Sequence, residues 1–228
     1  MITVVTPTMW RVPGLFLQAL NNYILCDKID EIIIINNDVG RTPYLWSELN
    51  HEKIKILNTQ QNIFVNPAWN IGVSIAKNDK ICLANDDIIF DMRLINKIYD
   101  RIIPSNGVHG IIAGEAAFNQ PLTTDGAIEF MAWQNGNHIH SFGQLMFIHR
   151  QNWRPIIDGL NIYFGDDFIF HWHLYRGLIN YMVYNIHFHS PMACTAKDTT
   201  ITGGFYEREQ PIFSNWFNMH PIPFSNWF

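Results

Sequence analysis

Four consecutive isoleucines, Ile32-Ile33-Ile34-Ile35, set between Glu31 and Asn36-Asn37-Asp38, constrain this chain more than any other stretch. Successive residues of a strand point to opposite faces, so the run predicts a strand over 31–38 buried on both sides. Such strands belong to parallel sheets with helices on each face. Residues 2–6, stopped by Pro7, and the alternating stretch 53–57 read as further strands. Helices are expected over 15–25 and over 67–76, the second with Pro67 near its first turn, where a missing N–H costs nothing. A short apolar strand, 80–84, follows. This order makes an α/β half with right-handed crossovers.

Beyond Pro104 the pattern loosens. Strands are expected over 108–113, 128–132, 144–149 and 181–189, and a helix over 166–176. Residues 190–210 are polar and rich in Gly and Thr, and read as a flexible loop. The tail repeats itself: Phe213-Ser214-Asn215-Trp216-Phe217 recurs as Phe224-Ser225-Asn226-Trp227-Phe228. The expected fold class is α/β, a mostly parallel mixed central sheet flanked by helices. One domain covers 1–190, followed by a loop and aromatic tail over 191–228.

Of the 228 residues 48% are hydrophobic and only 15% charged, which predicts a compact core. The net charge of −5 argues against broad binding to nucleic acid or to anionic membrane. Three cysteines, odd in number and widely spaced, give no disulfide framework. With no basic-then-apolar start and no run of apolar residues long enough to span a bilayer, a reducing, cytoplasmic setting is expected, without a transmembrane segment.

The chemistry concentrates in two acidic motifs. Ile81-Cys82-Leu83-Ala84 runs into Asn85-Asp86-Asp87, a carboxylate pair at the end of a strand, where open α/β sheets bind ligands. Paired hard oxygens suit Mg2+ or Mn2+; a solvated turn is the plain alternative. Both carboxylates serve one site only if the chain turns there. The second motif, Phe164-Gly165-Asp166-Asp167, opens a helix, whose free N–H groups orient a carboxylate and hold it ionised for proton abstraction. Simple helix capping by aspartate is the competing explanation.

With these motifs on the page, the chain resembles glycosyltransferases of the GT-A fold, and within them the large inverting family-2 group. The resemblance covers roughly residues 1–190 and rests on Thr6-Pro7-Thr8, Asn37-Asp38, the segment from Asn62 to Gly72, Asn85-Asp86-Asp87, and Phe164-Gly165-Asp166-Asp167 ahead of Arg176-Gly177. It implies a Rossmann-like nucleotide-diphospho-sugar transferase with a nucleotide-binding half, 1–103, and an acceptor-binding half, 104–190. It further implies a hexosyl-type transfer from a UDP-sugar to a glycan or other hydroxyl acceptor, dependent on Mn2+ or Mg2+. Asp87 then ligates the metal, with His189 as second ligand and His187 in reserve, and Asp86 holds the ribose. Thr6, Pro7, Asp38, Asn66, Trp69 and Asn85 complete the donor-binding set. Asp167 is the catalytic base, and Asp166 orients the acceptor or caps the helix. Trp133, Phe142 and Trp153 are candidates for stacking on sugar. Asn85 and Asp166 depart from the Asp and Glu usual at those places.

Three other readings stand beside this one. A metal-dependent hydrolase would use His171-x-His173 and His187-x-His189, eight of the ten histidines lying after residue 137; yet residues two apart on a helix do not share a face. Nucleotidyl transfer wants an early Gly-rich loop and a cation, and only Gly14 and Arg11 answer. A sugar-binding module without turnover is the third. The aromatic tail is expected to contact the acceptor, a second subunit or a membrane surface, or simply to pack in the core; it carries no Lys or Arg from Glu209 onward, which argues against an anionic membrane.

Overall fold

The structure is a computed structural model that describes residues 1–43, 46–111, 128–133, 142–190 and 203–222. Its elements are β1 (Ile2–Thr8), α1 (Pro13–Leu25), β2 (Ile29–Asn36), β3 (Ile54–Asn58), α2 (Val65–Ile75), β4 (Lys80–Ala84), β5 (Ile89–Phe90), α3 (Arg93–Ile98), β6 (Asn106–Ile111), β7 (Glu129–Trp133), β8 (Leu145–His149), α4 (Gly165–Tyr175), β9 (Ile179–Tyr184), β10 (Phe188–His189) and α5 (Phe205–Met219). Eight strands form one mixed sheet in the order β3-β2-β1-β4-β8-β6-β9-β7, and β5 pairs with β10 in a separate ribbon. Strands β1 to β4 are parallel. Strand β8 runs against both neighbours, β4 and β6.

The isoleucine run divides between two cores as its alternation requires. Ile32 and Ile34 join Phe16, Leu20, Tyr23 and Leu94 under α1 and α3. Ile33 and Ile35 join Trp69, Val73, Phe168 and Trp216 under α2, α4 and α5. Helix α2 lies so close to β1 that a Cβ on Gly72 would sit 2.1 Å from Val5 Cγ1. Gly72→Ala is therefore expected to cost about 1–3 kcal/mol through overpacking, read as a lower urea midpoint at unchanged slope; an unshifted midpoint would mean α2 has room to move.

Three expectations need correcting. Pro7 does not stop β1: the strand continues through Pro7↔Ile35 and Thr8↔Asn36. Its ladder to β4 has ended at Val5↔Leu83, so the missing N–H falls where only one neighbour is paired. The strand expected over 181–189 is two, β9 and β10, separated by Asn185 in the left-handed conformation (φ 57). The stretch read as a loop through 210 and an aromatic tail thereafter becomes helix α5 from Phe205, with Pro211 inside it. Residues 191–202 and the second repeat copy, 224–228, lie outside the described residues. The first copy packs inward: Phe213 stacks on Phe164 at 5.2 Å and Trp216 meets Phe168 at 4.2 Å. Among the described residues no helix is long and apolar enough to cross a membrane.

Candidate functional site

The chain leaves β1 for β2 on one side and returns to β4 on the other, so a crevice opens beyond the C-terminal ends of β1 and β4, the place where such sheets bind ligands. Both acidic motifs face this edge. Thr8, the last residue of β1, donates its hydroxyl to Asp86 Oδ2 at 2.6 Å, tying the carboxylate across the crevice. The chain does turn here: Asp87 is 8% exposed, and Ser190, just past β10, hydrogen-bonds its carboxylate. Asn85 N donates to Gln144 O at 3.0 Å. The neighbouring Gly143 N donates to Asp166 Oδ2 at 2.9 Å. One dipeptide thus joins the two acidic motifs and, with consecutive Cα atoms about 3.8 Å apart, holds them within roughly 12 Å of each other.

The electrostatics mark both motifs as under-compensated. Desolvation pushes Asp86 up to about 6, against the opposing Thr8 hydroxyl and with help from the Asp87 charge. Asp87 is raised as well, by desolvation first, with its own backbone N–H and Ser190 opposing. Asp166 is pushed up to about 7 by desolvation and then by Asp167, while the first-turn N–H groups of α4 and Gly143 pull it down. Strain collects at the same edge. Trp10 after β1 (φ 54), Phe64 before α2 (φ 66) and Phe164 before α4 (φ 60) are non-glycine residues held at positive φ, a cost of order 1–3 kcal/mol each that persists where the surroundings dictate it.

A divalent cation fits the carboxylate pair on its chemistry. Two desolvated carboxylates stand on consecutive residues, each with a hydroxyl on it, and neither joins an ion pair among the described residues. No group of three His, Cys, Asp or Glu gathers there among the described residues. The protein would supply part of the shell, the habit of a hard cation that keeps waters and takes phosphate oxygens. His189 is exposed and lies opposite Ile89, two residues beyond Asp87, so the β5–β10 pairing brings it to the same neighbourhood.

The structure buries several of the residues expected at the donor site. Thr6 is 0% exposed, its hydroxyl spent on Ala84 O at 2.6 Å. Pro7 is buried in the ladder beside Ile35. Trp69, at 3% exposed, is a core residue closed to a ligand. Asn66 is buried too and ties α2 to the segment ahead of α4: its N–H donates to Asn161 O at 3.0 Å and its Nδ2 to Tyr163 O at 3.0 Å. Asp38 does stand at the end of β2, half-buried, in an ion pair with Arg41 at 3.2 Å. Trp133 and Trp153 pack against the second core, and the Phe142 side chain lies outside the described residues. Sequence reasoning missed Thr8 and the asparagines. Asn36 takes Trp10 Nε1 at 2.8 Å and donates to Thr42 and Asn58 at 2.7 Å, closing the ends of three strands. Asn37 holds the backbone of Ile63 and Phe64 at the entry to α2. The only sequence signal was a pair of poor strand formers ending an isoleucine run.

The zinc reading loses its first pair of ligands. His173 is buried, with Nε2 bonded to Asn152 O at 3.1 Å and Nδ1 facing Val108 N at 3.0 Å and Asn180 Oδ1 at 3.2 Å. His171 Nε2 meets His220 O at 2.6 Å. Burial lowers the pKa of both.

No family model matches the chain, and no curated protein matches it in sequence. Solved structures do match in fold. S. aureus TarS 1-349 superposes with TM-score 0.60 at 11% identity, over 83% of this chain and 60% of that one. The same protein in complex with UDP gives 0.59 at 10%, over 82% and 59%. GalNAc-T7, solved with UDP, GalNAc and Mn2+, gives 0.61 at 12%, over 83% and 43%. This chain spans less than two thirds of the length of each. The likeness establishes the GT-A fold, with its mixed sheet and flanking helices.

Proposed function

We propose that the chain is a divalent-cation-dependent glycosyltransferase that moves a hexosyl group from a UDP-sugar to an acceptor hydroxyl with inversion. The observation that carries this reading is the meeting of the two acidic motifs on either side of Gly143-Gln144, at the crevice between β1 and β4. One motif suits a diphosphate with its cation, the other an incoming hydroxyl. Solved chains of the same fold in complex with UDP, and with UDP, GalNAc and Mn2+, support the donor class.

In this reading Asp86, oriented by Thr8, binds the ribose, and Asp38 at the end of β2 meets the base. Asn85 frames the turn. Asp87 and His189 hold the cation, which when bound neutralises charge developing on the leaving diphosphate. Asp166, engaged with Gly143, is the orienting carboxylate. Asp167 takes the acceptor proton as the acceptor oxygen bonds to the anomeric carbon and the bond to the diphosphate breaks.

The test is release of nucleoside diphosphate from a panel of UDP-, GDP-, CDP- and TDP-sugars, with Mn2+ and with EDTA. Turnover of a UDP-sugar that stops in EDTA is expected. Binding of the donor without release in any mixture would favour the sugar-binding module instead.

A further inference from the structure

Helix α5 carries a buried carboxylate that the catalytic scheme does not use. Glu209 is 1% exposed. Its Oε1 accepts from Asn161 N at 2.8 Å, its Oε2 from Tyr163 N at 2.8 Å, and both take Ile162 N at 3.3 and 3.2 Å. Three successive backbone N–H groups on one anion make a nest. The opposite side of the same strap is also held, because the carbonyls of Asn161 and Tyr163 accept from Asn66 at the start of α2. Phe164 then turns left-handed at φ 60, and α4 begins. Gly165 fits because a Cβ there would lie 2.0 Å from Asn66 Oδ1. Asp166 and Asp167 are the next two residues.

We infer that Glu209 is a positioning residue for the two carboxylates that open α4: by clamping residues 161–163 from α5, it sets where α4 starts and completes the acceptor side of the site only when α5 is docked. The catalytic meaning rests on the transferase reading; the clamp itself does not. Ion-assisted hydrogen bonds are about twice as strong as neutral ones, and their removal strands buried N–H donors. Packing alone requires no carboxylate at this place in α5. Aromatic contacts already join the same elements, Phe164 with Phe213 and Tyr163 with Tyr206 at 5.5 Å.

The experiment is a pH titration of labelled aspartate carboxyls by carbon NMR, on the full chain and on Glu209→Gln and Glu209→Asp. The amide of the first presents N–H to N–H; the second keeps the charge but falls a methylene short. Loosening the strap admits water to the start of α4, so the midpoint of Asp166, which burial raises, is expected to fall by more than about half a pH unit in both variants. An unmoved midpoint in both would overturn the inference. So would a fall in Glu209→Gln alone, which would report only a lost charge. Should neither variant fold, hydrogen exchange on the unaltered chain decides: the amides of Ile162 and Tyr163 are expected to open together with those of α5, and independent opening would refute the clamp. UDP binding measured in parallel separates the outcomes, since failure of the unaltered chain to bind UDP sinks the transferase reading and leaves the clamp standing.

Discussion

Asp87→Asn is expected to abolish the Mn2+ dependence of UDP binding and to lower turnover on the order of 10²–10³-fold, the scale of one lost electrostatic stabiliser of the transition state. The substitution keeps the shape of the side chain and leaves an oxygen for Ser190, while removing the charge that a hard cation needs. The same change should make the metal-free protein more stable at neutral pH. Burial raises both Asp86 and Asp87, so the folded chain holds protons that the unfolded chain releases near pH 4. The stability linked to these groups is complete below the unfolded pKa and is lost as pH rises through the folded value, about 6 for Asp86. Asparagine has no proton to lose and relieves Asp86 of a neighbouring charge. A raised melting temperature of the metal-free protein at pH 7.5 follows. Loss of metal response together with a raised melting temperature would be hard to explain by damage to the fold. Full activity in Asp87→Asn would remove Asp87 from the site.

Asp167→Asn is expected to lower kcat by about 10²–10⁴-fold, the usual worth of a positioned general base, with UDP affinity unchanged. Asp166→Asn should cost less. Asp166 already accepts from Gly143 N, and its raised pKa leaves it partly protonated near neutrality. The amide can keep that contact through its oxygen. If Asp166→Asn instead silences turnover and Asp167→Asn is mild, the two roles are reversed. Equal mild effects in both would mean that the acceptor loses its proton elsewhere.

Much of the sheet was legible because burial on two faces leaves a one-dimensional record. The isoleucines of β2 and the apolar β4 announce a parallel sheet without any tertiary information, and β4 was read to its observed ends, Lys80–Ala84. The carboxylates at its end were legible for the same reason, since a strand must deliver something at its edge. Roles that depend on which face a residue takes were not. Thr6 and Thr8 share a face, yet Thr6 is spent on Ala84 O and only Thr8 reaches Asp86, because the β4 ladder has already ended at Val5↔Leu83 and Thr8 lies level with the turn that follows β4. Trp69 lies on the expected helix and Asn66 just ahead of it, but α2 begins at Val65 and presses both toward protein. The last helix was hidden by Gly203-Gly204 and Pro211, residues that ordinarily break helices. Its helical state depends on contacts with α4 and the 161–163 strap, which no local pattern encodes.

The crevice beyond β1 and β4 is expected to bind a nucleoside diphosphate through a cation held by Asp87. Calorimetric titration of UDP, GDP, CDP and TDP into the full chain, first with Mn2+ and then with EDTA, tests it directly. Selective binding of UDP that collapses when the cation is withdrawn is expected. Binding of none of the four with Mn2+ present, or binding indifferent to EDTA, would contradict it.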